Sequence, residues 1–318
     1  MISWQSLDIS LSIGVSMRAN SNSTGQLTRH HLTVAGEKRS YWLYRPSKSA
    51  GSGQKLPLVI AMHGFLMPSR MMIEVCELNQ VADQNSFLIA YPDMAFFWQF
   101  NVPRGFYNKD CHFIELLVDS LVASKAVDAT RVYATGYSNG ADILHLFACS
   151  LSLSSKIAAF APVCSNLDRS WASAVEHKRP VAMMMISGTA DKLNKWDGDL
   201  DRWMSVADTF EYWQAHNGID SVDTRLHFPE SVPAARKATS AQLIQSSNAQ
   251  NGSEVSLLKI HGGGHTWPAQ RAESWYSRLI LGPMHREHFA SVEIWKFFER
   301  HHHQQTKLHA TSKSARVG

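Results

Sequence analysis

Six short, largely apolar runs between residues 56 and 260 set the tightest limit on how this chain can fold: Leu56–Met62, Phe87–Pro92, Arg131–Gly136, Ile157–Val163, Val181–Ser187 and Val255–Ile260. A strand wetted on one face alternates apolar and polar residues. Runs without alternation suit strands covered on both faces, as in a parallel sheet. Segments of helical period lie between them. In residues 110–124, Ile114, Leu117, Val118 and Leu121 fall at i, i+3, i+4 and i+7 and form one apolar stripe. Residues 207–218 and 290–301 have the same character, with Gly218 as a helix stop. Ahead of the series, residues 31–36 and 40–46 alternate on either side of a polar Glu-Lys-Arg and predict an antiparallel hairpin.

The expected architecture is therefore α/β: a mainly parallel, doubly wound sheet with an N-terminal antiparallel hairpin, in a single domain over residues 29–303. Residues 1–28 read as a flexible extension and residues 304–318 as a disordered tail. Residues 223–253, rich in Ser, Ala, Asn and Gln, read as an irregular surface excursion.

Charge and cysteine content narrow the function classes. With 31 basic against 27 acidic residues the net charge is only +4, and like charges form no block, which gives nucleic-acid binding little support. No apolar run approaches the ~18 residues that span a bilayer, so an integral membrane protein is not expected. Cys76, Cys111, Cys149 and Cys164 form no C-x-x-C pair, which argues against a zinc knuckle and a dense disulfide framework and leaves their pairing open. The N-terminus makes a poor signal peptide, because Asp8 interrupts its apolar stretch and no Lys or Arg precedes it.

The chemistry is concentrated where strands end. Gly136-Tyr137-Ser138-Asn139-Gly140 is a G-x-S-x-G sequence placed after one predicted strand and before one predicted helix, the context of a nucleophile elbow. Side chains at the two glycines would crowd the tight turn that lifts Ser138 out. A serine hydroxyl needs a base and an orienting acid. His265 follows the Val255–Ile260 run in a glycine-rich loop, His-Gly-Gly-Gly-His, at the strand's C-terminal edge, where open α/β sheets carry their sites. That loop lacks the GK[ST] ending of a phosphate cradle, and its glycines argue against a helix presenting His261 and His265 to a metal. Asp191 lies just past a strand in a Gly-Thr-Ala-Asp turn. Asp197, Asp199 and Asp201 compete with it but read as loop or cap residues. The order Ser138, Asp191, His265 is that of an α/β-hydrolase. The backbone N–H groups of Phe65, in His63-Gly64-Phe65, and of Asn139 are the candidate oxyanion hole, with His63 itself a hydrogen-bonded core residue.

The residues Tyr44–Pro46, His63–Phe65, Tyr91–Asp93, Arg131–Gly140 and Gly262–Pro268, with Ala-Pro-Val, Gly-Thr-Ala-Asp and Trp-Asp-Gly between them, make the chain similar to the polyhydroxybutyrate depolymerase-like esterases, a group that includes feruloyl and acetyl-xylan esterases. The resemblance spans most of residues 40–300. It implies a secreted or periplasmic carboxylic-ester hydrolase without cofactor or metal, with Ser138, Asp191 and His265 as its triad. The alternative location is the cytoplasm. The chain departs from the family pattern at Leu66-Met67-Pro68 and at residues 94–101, positions expected to wall the substrate pocket. Trp98, Tyr137 and Trp267, with Phe96 and Phe97, are the candidate substrate-binding aromatics. His285 and His288 read as the surface of a helix start and His301–His303 as the end of the final helix. The leading expectation is a polyhydroxybutyrate depolymerase-like serine esterase; the alternatives are a feruloyl or carbohydrate acetyl esterase and, in another class, a non-catalytic binding module on the same fold.

Overall fold

The computed structural model describes residues 14–18, 23–49, 53–94, 97–99, 108–175, 177–219, 239–269 and 275–303. Phe96, the tail after residue 303 and most of the N-terminal extension lie outside them.

The strands are β1 (Gly14–Arg18), β2 (Gln26–Val34), β3 (Glu37–Arg45), β4 (Leu56–Met62), β5 (Leu88–Pro92), β6 (Val127–Tyr137), β7 (Ala159–Val163), β8 (Ala182–Gly188), β9 (Ser240–Ser247) and β10 (Glu254–His261). The helices are α1 (Ser69–Cys76), α2 (Leu78–Asn85), α3 (Lys109–Ala123), α4 (Asn139–Cys149), α5 (Leu151–Ser154), α6 (Arg169–Ala174), α7 (Val206–His216), α8 (Trp275–Leu281) and α9 (Ala290–Phe298). One ten-stranded sheet runs β1-β2-β3-β5-β4-β6-β7-β8-β10-β9. From β5 to β10 neighbouring strands are parallel. The hairpin β2–β3 continues the sheet antiparallel on one side, and β1, inside the segment expected to be an extension, pairs with β2. This is the α/β-hydrolase architecture expected from the alternating runs and helices.

The unbroken apolar runs have their explanation in the two faces. In β4, Leu58, Ile60 and Met62 point into one core while Val59 and Ala61 point into the other; in β8, Met183 and Met185 oppose Met184 and Ile186. Helices α3, α4 and α7 cover the first face; α1, α2 and α9 cover the second. The stripe Ile114, Leu117, Val118 and Leu121 is buried in the first core, each side chain contributing about 1.5–3 kcal/mol relative to exposure. The α3 start is set by Asn108, whose side chain accepts from the N–H groups of Asp110 and Cys111, and the α7 end by Gly218 at φ +65°.

Three expectations are corrected. The excursion read over residues 223–253 includes β9, which pairs antiparallel with β10 along its whole length. Its Ser- and Gln-rich composition belongs to an edge strand covered on one side and hides the strand signal. His285 is not on a helix-start surface: it is buried at 1% exposure, ahead of α9, with its ring stacked on His288 at 5.6 Å. His301–His303 do not crown the final helix, since α9 ends at Phe298 and the segment folds back onto the body. There Tyr133 donates to the His301 carbonyl at 2.8 Å and the His303 N–H donates to the Thr130 carbonyl at 2.8 Å. All four cysteines are buried and free. No helix among the described residues is long and apolar enough to cross a membrane.

Candidate active site

Ser138 sits between the end of β6 and the start of α4 at φ 54° and ψ −121°, a left-handed conformation that costs a non-glycine residue of order 1–3 kcal/mol. Backbone bonds hold it there: its N–H donates to the Val163 carbonyl at 2.9 Å, and its carbonyl accepts from the N–H groups of Ala141 at 2.7 Å and Asp142 at 2.9 Å. The flanking glycines provide clearance. A Cβ on Gly136 would lie 2.3 Å from the Gly140 carbonyl oxygen, and one on Gly140 would lie 2.4 Å from the His63 carbonyl oxygen. The second contact shows what Gly140 adds: it lets the end of β4 rest on the elbow.

The acid and histidine loops meet by the same device. Gly188 packs on Gly263 so closely that a Cβ on Gly188 would stand 2.2 Å from the Gly263 carbonyl oxygen. Ala190 N–H then donates to the Gly263 carbonyl at 2.8 Å, and Thr189 N–H to that of Ile260 at 2.9 Å. Between these zipped loops, His265 Nδ1 lies 2.7 Å from Asp191 Oδ2, both side chains shielded from solvent. Asp191 Oδ1 accepts the N–H groups of Leu193 at 2.8 Å and Asn194 at 2.9 Å, so both carboxylate oxygens are engaged. Of the competing acids, Asp199 accepts the N–H groups of Arg202 and Trp203 and organises its own surface loop.

Tyr137 joins the elbow to the histidine loop. Its hydroxyl donates to the His265 carbonyl at 2.6 Å, and its ring lies 5.3 Å from the imidazole. Its other neighbour, Trp267, is fully enclosed and donates through Nε1 to Ser291 Oγ at 3.2 Å. Trp98 is also fully enclosed: its N–H donates to Asn139 Oδ1 at 2.7 Å and its Nε1 to the His63 carbonyl at 2.9 Å. These three aromatics frame the loops from within. The aromatic surface offered to solvent beside the elbow is Phe65 with Phe97, 60% and 48% exposed, their centroids 6.1 Å apart.

The His63-Gly64-Phe65 turn reaches the elbow, because a Cβ on Gly64 would be 3.5 Å from Ser138 Cβ. His63 accepts the Met94 N–H at Nε2, which leaves its proton on Nδ1 facing the Gly64 carbonyl, and burial holds its pKa below the ordinary value. It is a core residue, as expected. Asn139 opens α4, so its own N–H is one the helix leaves unused.

Behind the acid lie residues that motif reading passed over. Cys164 follows β7 at φ 58° and donates from Sγ to the Thr266 carbonyl at 3.4 Å. Burial, and then the nearby Asp191 charge, push its thiol pKa far up. Cys164 Sγ, an Asp191 oxygen and a His265 nitrogen lie within 4.8 Å of one another, a spacing that could admit a metal ion, but the bond between His265 and Asp191 already uses two of the three. Asn194 and Asp142 complete this layer. Position at the C-terminal edge of a strand was the one signal that marked Cys164; Asn194 and Asp142 had none. A cleft of about 760 Å³ opens on the hairpin side, lined by Leu66, Met94 and Gln99 and by charged residues that include Lys38, Asp93 and Asp110; none of Ser138, Asp191 and His265 lines it.

The family model described as esterase PHB depolymerase matches residues 39–180. The putative esterase NocK of Nocardia uniformis subsp. tsuyamanensis is 27% identical over 262 residues, which are 76% of this chain and 74% of that protein. A bifunctional acetylxylan esterase/xylanase of Neocallimastix patriciarum is 25% identical over 232 residues, 73% of this chain but 31% of that protein. Among solved structures, the acetyl xylan esterase from Aspergillus awamori superposes with a TM-score of 0.53 at 14% identity, covering 81% of this chain and 94% of its own, a likeness of fold.

Proposed function

For a chain that resembles the polyhydroxybutyrate depolymerase-like esterases, we propose a serine esterase that works through an acyl-enzyme. The reading is carried by the shielded 2.7 Å contact of His265 Nδ1 with Asp191 Oδ2, set at the same sheet edge as the strained Ser138 elbow. Asp191 accepts a hydrogen bond from His265 Nδ1–H, which keeps that proton on Nδ1 and leaves Nε2 as the base. Ser138 Oγ attacks the ester carbonyl carbon as its proton passes to Nε2. The N–H groups of Phe65 and Asn139 hold the oxyanion, each worth about 3 kcal/mol in the transition state. Collapse expels the alcohol, which takes the proton from Nε2. Water, deprotonated in turn by His265, then attacks the acyl carbonyl, and the carboxylic acid leaves as Ser138 regains its proton. The resemblance also supports action outside the cytoplasm, in the periplasm or secreted.

The leading substrate class is a polyhydroxyalkanoate ester, for which the exposed Phe65–Phe97 pair offers an apolar wall. The likeness to an acetylxylan esterase supports a second class, a feruloyl or acetyl ester whose alcohol is a hydroxyl-rich carbohydrate. Labelling by a fluorophosphonate, with mass spectrometry of the modified peptide, tests the chemistry: Ser138 takes the label, and Ser138→Ala takes none and hydrolyses no aryl ester. A folded wild-type protein without label would move the chain to the binding-module class. Relative kcat/KM for a hydroxybutyrate oligomer, methyl ferulate and an acetylated xylo-oligosaccharide separates the substrates.

A further inference from the structure

Three segments far apart in sequence meet behind Asp191: the first turn of α4, the residue after β7, and the loop after β8. Asn194 stands at their junction. Its N–H donates to Asp191 Oδ1 at 2.9 Å, while its side-chain Nδ2 donates to the Cys164 carbonyl at 2.7 Å and to Asp142 Oδ1 at 3.3 Å. One residue thus grips the acid through its backbone and spends its amide protons on β7 and α4. Asp142 belongs to the helix that begins at Ser138, four residues after it, and is buried beside the fully buried Ile143 and Leu144. A carboxyl in that layer is expensive to bury and calls for a specific partner. Burial pushes its pKa up to about 7 and Asp168 adds to the shift, while Ser165, Arg202 and Asn194 oppose it.

We propose that Asn194 is a positioning residue for Asp191, with Asp142 as the anchor that ties the acid loop to the helix carrying Ser138. The proposal rests on the triad reading above. Its consequence is geometric. Without the anchor the loop after β8 keeps its ties to Ile260, Gly262, Gly263 and Asn166 but loses the one to α4, and Asp191 can turn with the imidazole it orients. A misplacement of about 1 Å at such a group costs up to about a hundredfold in rate.

The test compares Asn194→Ala, Asp142→Ala, Asp142→Asn and the Asp142→Ala/Asn194→Ala double variant by kcat and KM on a soluble aryl ester, by the rate of fluorophosphonate labelling at Ser138, and by the NMR signal of the His265 Nδ1 proton. Asn194→Ala and Asp142→Ala should each lose about tenfold to a hundredfold in kcat with KM nearly unchanged. Both should shift or broaden the Nδ1 signal. The double variant should be no worse than the poorer single, because both changes cut one tie. Asp142→Asn keeps an oxygen that accepts from Asn194, so it should restore kcat and the signal. Single variants with wild-type kcat and signal, or losses that multiply in the double variant, would overturn the proposal. If Asn194→Ala does not fold, Asp142→Ala against Asp142→Asn decides: equal kcat and equal signals overturn it. A wild-type protein that takes no label at Ser138 removes the triad reading itself. A labelled wild type matched in rate by Asn194→Ala removes the positioning role alone.

Discussion

His265 Nδ1 and Asp191 Oδ2 stand 2.7 Å apart where their side chains are 3% and 1% exposed, so the imidazole is held by a partner that water does not replace. An acceptor at that point fixes the proton on Nδ1. Asp191→Asn presents an NH2 donor there and favours the tautomer protonated on Nε2, which cannot take a proton from Ser138. The expected loss is about a thousandfold to ten-thousandfold in kcat with a folded protein, measured by steady-state hydrolysis alongside circular dichroism.

Gly140→Ala should damage the elbow more than its size suggests. The added Cβ would meet the His63 and Met62 carbonyl oxygens at 2.4 and 2.5 Å, both backbone atoms of the loop that leads to Phe65. Relief requires β4 and α4 to part. We expect a fall in Tm of several degrees and loss of Ser138 labelling, read by calorimetry and by fluorophosphonate reaction.

Phe65→Ala and Phe97→Ala remove only exposed rings and leave the Phe65 N–H in place. Tm should stay within a degree or two. KM for an ester with a bulky apolar acyl group should rise severalfold, while an acetyl ester is little affected, as a comparison of the two substrates would reveal.

Asp142 gives stability a pH dependence of definite sign. Its carboxyl ionises near 3.8 in the unfolded chain and near about 7 in the fold. Between those values the unfolded state binds fewer protons, so stability falls as pH rises from 4 to 7 and is then level. Asp142→Asn cannot ionise and should unfold at a higher temperature than wild type at pH 8, with the gap closing toward pH 4.

His145 acts in the opposite sense. Burial lowers its pKa to about 3, and Nδ1 accepts from Trp213 Nε1 at 3.3 Å. The unfolded chain takes up this proton as pH falls below 6.5 and the fold does not until about 3, so stability is lost across that interval. His145→Gln, which retains an acceptor, should flatten this acid limb in a series of melts from pH 7 to 4.

The parallel strands were legible because burial on two faces leaves a mark in one dimension: Leu58 and Val59 are adjacent, serve opposite cores, and must both be apolar. The elbow was legible because its glycines and serine stand together between an apolar run and a helical stretch; the contact of Gly136 with Gly140 is local, while that of Gly140 with Met62 and His63 is not. β9 was not, because Ser240–Ser247 lies at the sheet edge and carries polar residues that suit a loop equally well. Trp98 and Trp267 had the composition of a ligand wall, yet their indole N–H groups found partners inside, at His63 and Ser291.

Local order therefore sufficed for the α/β-hydrolase fold and for putting forward Ser138, Asp191 and His265 as candidates, since strand period and position after a strand are short-range constraints. The folded chain alone decided which aromatics face solvent and that Asn194 joins Asp191 to Asp142. Those choices depend on contacts between segments far apart in the chain, backbone on backbone for Gly188 and Gly263 and side chain on side chain for Asn194 and Asp142, and a linear pattern carries no record of which loops a sheet will bring to the same edge.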